Sequence, residues 1–289
     1  MHSIFRKQLI VLFIIAPVLL SNISILLADD VFRIGIFPRR SVALTEKMFT
    51  PLSNYLEQQL GQKVLLDVAP DMPAFWSRLE DGKYDMVHLN QYHYVRAHAK
   101  LGWQAILRNE EFGEDTIAAG IWVLENSDIN SLDDLRGKLI VFGGGDHAMV
   151  ASIMPRDILM KAGIEDDSYI GMSTLHPVKS VISVYFNQAD AAGVGITIVK
   201  LPAINKRIDV EKLRLLAQSE PLAHLPWAIH GDIDKEKKNK ITQSMLRLND
   251  TISGKKVLKS AGLTGIRPAI DTDYNEHRAI IRRVLDENY

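Results

Sequence analysis

The chain has 289 residues, with 34 Lys and Arg against 35 Asp and Glu, nine His and no Cys. Near-neutral charge gives no basic footprint for nucleic acid, and the missing cysteine excludes both a disulfide framework and a lipid anchor on a cleavage-point Cys. The length admits two domains of ordinary size, each stabilised by its own core.

Arg6 and Lys7 precede an almost wholly apolar run, Leu9 to Leu27, which ends at Ala28 and the acids Asp29 and Asp30. This is the layout of an export signal over residues 1–28, and it predicts a periplasmic protein. Pro17 and the polar Ser21-Asn22-Ile23-Ser24 interruption favour cleavage after Ala28. The length of the apolar run leaves an uncleaved membrane anchor as the alternative. Beyond this segment, 32 basic and 35 acidic residues leave a formal charge of −3.

Val31 to Pro38 reads as a first strand, Thr45 to Leu60 as a helix ended by Gly61, and Lys63 to Val68 as a second strand. Asp71 to Glu80 forms another helix, and Tyr84 to Leu89 returns as a strand. This βαβαβ order predicts a parallel sheet whose strand ends share one edge, bringing residues 37–41 near residues 90–94. The pattern restarts after Ile117 with a strand from Gly120 to Leu124. Ser131 to Lys138 is a capped turn of helix, Leu139 to Phe142 is an apolar strand, and Gly143-Gly144-Gly145-Asp146 turns the chain into a helix from Ala148 to Ala162. A helix N-terminus beside the carboxyl end of a strand is where α/β proteins place small ligands.

A helix from Val178 to Asn187 and a strand from Ala189 to Val194 complete the second unit. The polar-faced helices Lys235 to Leu248 and Tyr274 to Glu287 have no strands of their own to cover, and they are expected to pack back on the first unit. The predicted division is a discontinuous lobe of residues 29–117 and 233–289 and a second lobe of residues 118–232. The ligand cleft lies between them.

Several segments carry a resemblance by their order and spacing: Arg33 to Pro38, Pro51 to Glu57 before Gly61, and Asp81 to Asp85 leading to Tyr94. Ser131 to Lys138, Pro155-Arg156, His176 and Asp190-Ala191-Ala192 continue it. Together they resemble the periplasmic substrate-binding proteins of phosphate/phosphite/phosphonate ABC transporters. The resemblance implies a two-lobed α/β fold of the type II periplasmic-binding-protein kind, whose lobes are joined by two crossovers and close on a small ligand. It also implies a membrane permease of an ABC transporter as partner, with an accessory role to a membrane sensor kinase or cyclase as the alternative. The family's typical Ser-Thr-Ser-Gly run at the helix start is Ala148-Met149-Val150-Ala151 here, anchored on Pro155-Arg156. Three hydroxyl donors to a phosphonate are thus missing, as in a divergent branch of the family.

The resemblance puts Tyr94 and His176 in the pocket. Position adds Asp146, His147 and Ala148 at the helix start, where Asp146 reads equally well as an N-cap. Arg39 and Arg40 follow the first strand and offer guanidinium forks to an anionic group. Asn90 and Gln91 sit at the third strand's end, and Thr197 follows the glycine-bearing strand.

His88, His93 and His98 are five residues apart, a spacing that suits neither one helical face nor one strand face for a metal. The sequence contains no serine elbow, cysteine nucleophile or close carboxylate pair that points to catalysis. The expectation is a monomeric, non-enzymatic binder of a small anion, working without metal, cofactor or nucleic acid.

Overall fold

The computed structural model describes residues 31–289, so the export-signal reading lies outside the described residues. The first elements are β1 (Phe32–Ile36), α1 (Val42–Leu60), β2 (Val64–Val68), α2 (Met72–Glu80), β3 (Met86–His88), α3 (Gln91–Leu101) and β4 (Gln104–Glu110). Then come β5 (Thr116–Ile117), β6 (Ala119–Leu124), β7 (Leu139–Gly143), α4 (Met154–Lys161), β8 (Ile170–Thr174), α5 (Pro177–Tyr185), β9 (Ala191–Gly195), α6 (Pro202–Asn205) and β10 (Leu213–Gln218). The chain ends with β11 (Leu222–Ala223), β12 (Pro226–Ile229), α7 (Lys235–Leu246), α8 (Ile252–Ser260), β13 (Gly265–Pro268) and α9 (Asn275–Leu285).

Local signals explain the boundaries that position the cleft. Asp71 accepts the Ala74 N–H at 2.8 Å to cap α2, and Asn90 accepts the His93 N–H at 2.8 Å to cap α3. Gly61 and Gly102 end α1 and α3 in the left-handed region at φ 71° and 74°, where a β-carbon is disfavoured.

Each lobe is built on one sheet, in the order β13-β4-β12-β3-β1-β2 and β10-β6-β9-β7-β8. Strand β1 runs parallel to β2 and β3, as the βαβ order requires, and β7 runs parallel to β8 and β9. Four of the five β1 residues are buried, because helices cover both faces of the sheet. On one face Leu52 and Leu56 of α1 pack with Ile34, Trp227 and Met245. On the other, Tyr92, Val95, Ile280 and Ile281 share a core with Met149, Ile153 and Met154 of the second lobe. Side chains of this size contribute about 1.5–3 kcal/mol each when fully buried, so this shared core ties the lobes together.

Two expectations are corrected. The chain re-enters the first lobe before residue 233: Trp227 of β12 pairs with His88 of β3 and Leu107 of β4, both antiparallel. Residues 226–232 therefore go with the first sheet, and the crossovers fall at residues 111–118 and 219–225. They are joined by β5 and β11, with Ile117 opposite Leu222 and Thr116 opposite Ala223. The last helix also packs on more than the first unit. α9 lies against α3 and against α4 of the second lobe, where the Arg283 Nε–H donates to Asp157 Oδ1 at 2.8 Å. Among the described residues no helix is long and apolar enough to cross a membrane.

Candidate functional site

The carboxyl ends of β1, β3, β7, β8 and β9 converge on a cavity of about 670 Å³ between the lobes. This is the expected position for a ligand in open α/β sheets.

From the first lobe, Phe37 to Arg40 leave β1 and line the cavity. Asn90, Gln91 and His93 line it at the start of α3. Gln91 is fully buried: its Nε2 donates to the Ala223 carbonyl at 3.1 Å, while its Oε1 has no hydrogen-bond partner. Asn90 accepts from His93 through Oδ1 and donates through Nδ2 to the carbonyl of His147, at 3.3 Å, across to the second lobe. Burial, reinforced by His147, pulls His93 down to about 3, so its ring is neutral near pH 7.

From the second lobe, the glycine turn delivers Asp146, His147 and Ala148 to the cavity wall. Gly144 and Gly145 hold φ of 82° and 80°, and a β-carbon on Gly144 would lie 2.7 Å from that of Ala148. The expected helix from Ala148 opens as a π-turn over Met149–Ile153 before α4, since the Ala148 carbonyl accepts from both Ser152 and Ile153. Asp146 does not cap it. Its carboxylate accepts from Ser173 Oγ and lies 3.8 Å from the Arg156 guanidinium. His176 precedes α5, is exposed, and lines the cavity with Leu175 and Val178. Thr197, in the turn after β9, also lines it.

Tyr94 does not reach the cavity. Helix α3 begins at Gln91, and at 100° per residue Tyr94 turns into the first-lobe core, where it is 0 % exposed. Its hydroxyl donates to Asp271 at 2.8 Å and accepts the Ala105 N–H at 3.1 Å.

Sequence reasoning missed the crossover wall. Glu111 and Phe112 line the cavity from the first crossover, and His224 and Leu225 from the second. Phe112 holds φ 57°, a left-handed backbone that costs an L residue on the order of 1–2 kcal/mol. Phe112-Gly113 between acidic residues was the signal available. Burial lowers His224 to about 4, with Arg39 adding to the effect and Glu111 and Asp115 opposing it.

Among the described residues the charges on this wall sort into pairs, with Arg40 left over. Arg39 lies 3.6 Å from Glu111. The Arg40 guanidinium has no hydrogen bond or ion pair with a described residue, and Glu111 acts on it only through space. Burial and the neighbouring Arg39 lower Arg40 to about 10, which still leaves it charged at neutral pH. Such a cation in a cavity wall favours a negative ligand group.

Two α/β lobes on paired crossovers, with a cavity at their facing strand ends, define a two-lobed solute-binding protein of type II architecture. The family model described as ABC transporter, phosphonate, periplasmic substrate-binding protein matches residues 34–274, and the chain belongs to that family. Its function is the family's: periplasmic capture of a solute for an ABC importer.

Solved structures with the same fold include a binding-protein component of an ABC phosphonate transporter from Pseudomonas aeruginosa. It is 16% identical, with 88% of this chain and 86% of that one covered and a TM-score of 0.74. A Prochlorococcus marinus protein in complex with methylphosphonate is 18% identical, with 89% and 99% covered and a TM-score of 0.75. A Xanthomonas citri protein bound to ATP is 18% identical, with 89% and 98% covered and a TM-score of 0.74.

Proposed function

We infer that the solute is a small anion, held between the lobes by the Arg40 guanidinium and the N–H groups opening the Met149–Ile153 turn. Arg40 carries this reading, because a half-buried guanidinium in a cavity wall, with no ion pair among the described residues, is stabilised by an anion. Arg39, Asn90, Gln91, His147, His176 and Thr197 line the same space and supply the remaining polar contacts. Contacts to both lobes favour the closed form by the difference in ligand affinity between open and closed states. The protein binds without chemical transformation, is exported through residues 1–28 and acts as a monomer in delivering its solute to a membrane permease.

A thermal-shift panel of phosphate, phosphonates, sulfonates and carboxylates beside neutral and cationic controls tests the reading. Stabilisation by at least one class of anion supports it. Stabilisation by neutral or cationic compounds alone contradicts it.

A further inference from the structure

We propose that the solute is a singly charged oxyanion on an apolar body of several carbons, a carboxylate or sulfonate, and neither a phosphonate nor a phosphate dianion; this rests on the anion reading of the cavity. Three observations on the cavity wall converge on it.

The first is the donor set. A doubly charged oxyanion needs many hydrogen-bond donors to replace its hydration, and neutral hydroxyls supply them without competing charge. Among the described lining residues Thr197 bears the only hydroxyl. Ala148, Met149, Val150 and Ala151 line the wall at the turn that opens α4, and the nearby Ser152 is fully buried behind them.

The second is the charge balance. Arg39 is paired with Glu111, and Asp146 adds a carboxylate that Arg156 faces from only 3.8 Å. Among the described lining residues one Arg, Arg40, has no ion pair, and it matches one negative charge. A second charge on the ligand finds no further unpaired cation among the described lining residues, and Glu111 and Asp146, already facing Arg39 and Arg156, put two carboxylates on the same wall.

The third is space and its lining. The cavity of about 670 Å³ has far more room than a tetrahedral oxyanion fills. Much of its wall is apolar, including Phe37, Met72, Phe112, Val178, Ile198 and Leu201. An ion alone leaves that surface wet, whereas a hydrocarbon body covers it.

Isothermal titration calorimetry of the full chain tests the proposal with straight-chain carboxylates and sulfonates of two to eight carbons, beside phosphate, methylphosphonate and ATP. Affinity is expected to rise about fourfold per added methylene in at least one series, until the cavity is filled. The longer members should bind more tightly than phosphate, methylphosphonate or ATP, and the two series decide between the headgroups. Tightest binding of phosphate, methylphosphonate or ATP, or an affinity that stays flat along both series, overturns the proposal while leaving the anion reading intact. Binding of neutral analogues alone, such as the matching alcohols, or no heat with any compound, overturns both.

Discussion

The imidazole of His147 in the second lobe stacks on the phenol ring of Tyr92 in the first, with centroids 4.6 Å apart and planes 20° apart. Tyr92 lies behind the cavity wall, outside its lining, and its hydroxyl donates to Glu287 at 2.8 Å. The stack therefore joins the lobes at the edge of the site, where His147 lines the cavity and Tyr92 supports it from behind.

Tyr92→Leu removes the ring partner, and an aromatic pair of this kind is worth about 0.5–1.5 kcal/mol. If that energy belongs to the closed form, ligand affinity falls about 2- to 12-fold by calorimetry. Tyr92→Phe keeps the stack and leaves affinity within twofold of wild type. Equal affinities for all three proteins would show that the contact does not help closure.

Tyr94→Phe is expected to act on stability alone. The hydroxyl is both donor to Asp271 and acceptor for the Ala105 N–H, so its loss leaves the buried Ala105 N–H unpaired while Asp271 keeps Arg278, and costs about 1–3 kcal/mol in urea unfolding. Affinity stays unchanged. Weakened binding with unchanged stability would return Tyr94 to the site.

Acid should destabilise the fold through buried histidines. Burial lowers His277 and His93 to about 3 and His224 to about 4, while an unfolded histidine titrates near 6.5. Between these values the unfolded chain binds more protons, so stability is full above about pH 6.5 and declines as pH falls toward 4. Each group contributes a slope of up to about 1.4 kcal/mol per pH unit. The His277 ring makes no hydrogen bond in its buried site, so His277→Leu should remove about one proton's share of the slope in urea unfolding measured from pH 7 to 4.5. An unchanged slope in that variant contradicts the assignment.

Arg283 of α9 and Lys161 of α4 share the Asp157 carboxylate, whose side chain is only 3% exposed. Arg283→Ala leaves that buried charge with Lys161 alone. A hydrogen bond to a charged group contributes about 1.5–3 kcal/mol, and the partial exposure of Arg283 puts the expected loss at the lower end. Chemical unfolding that shows less than about 0.5 kcal/mol of change would mean the pair adds nothing.

What the sequence made legible follows local physics. The apolar strand Phe32–Ile36, the helix closed by Gly61 and the glycine turn before Ala148 all appear near their expected places, because caps, glycines and periodicity act over a few residues. Strand β12 was hidden for the opposite reason. Its partners His88 and Leu107 are far away in sequence, and all four of its residues are buried, so no alternation marks it. In the site, Arg39, Arg40, Asn90 and His147 were placed by strand ends, which topology brings together. The resemblance puts Tyr94 in the pocket, but Asn90 caps a helix whose rotation turns it into the core. Glu111 and His224 reach the cavity only through the path of the crossovers, which no local pattern encodes.

The most direct test of anion capture at the unpaired guanidinium is calorimetry of Arg40→Gln beside wild type, using the tightest-binding anion found for the wild-type protein. A charge-assisted contact of about 1.5–3 kcal/mol predicts affinity about 10- to 100-fold weaker, with a melting temperature within about 2 °C of wild type because Arg40 has no hydrogen bond or ion pair with a described residue to lose. Equal affinity in the two proteins would contradict the account.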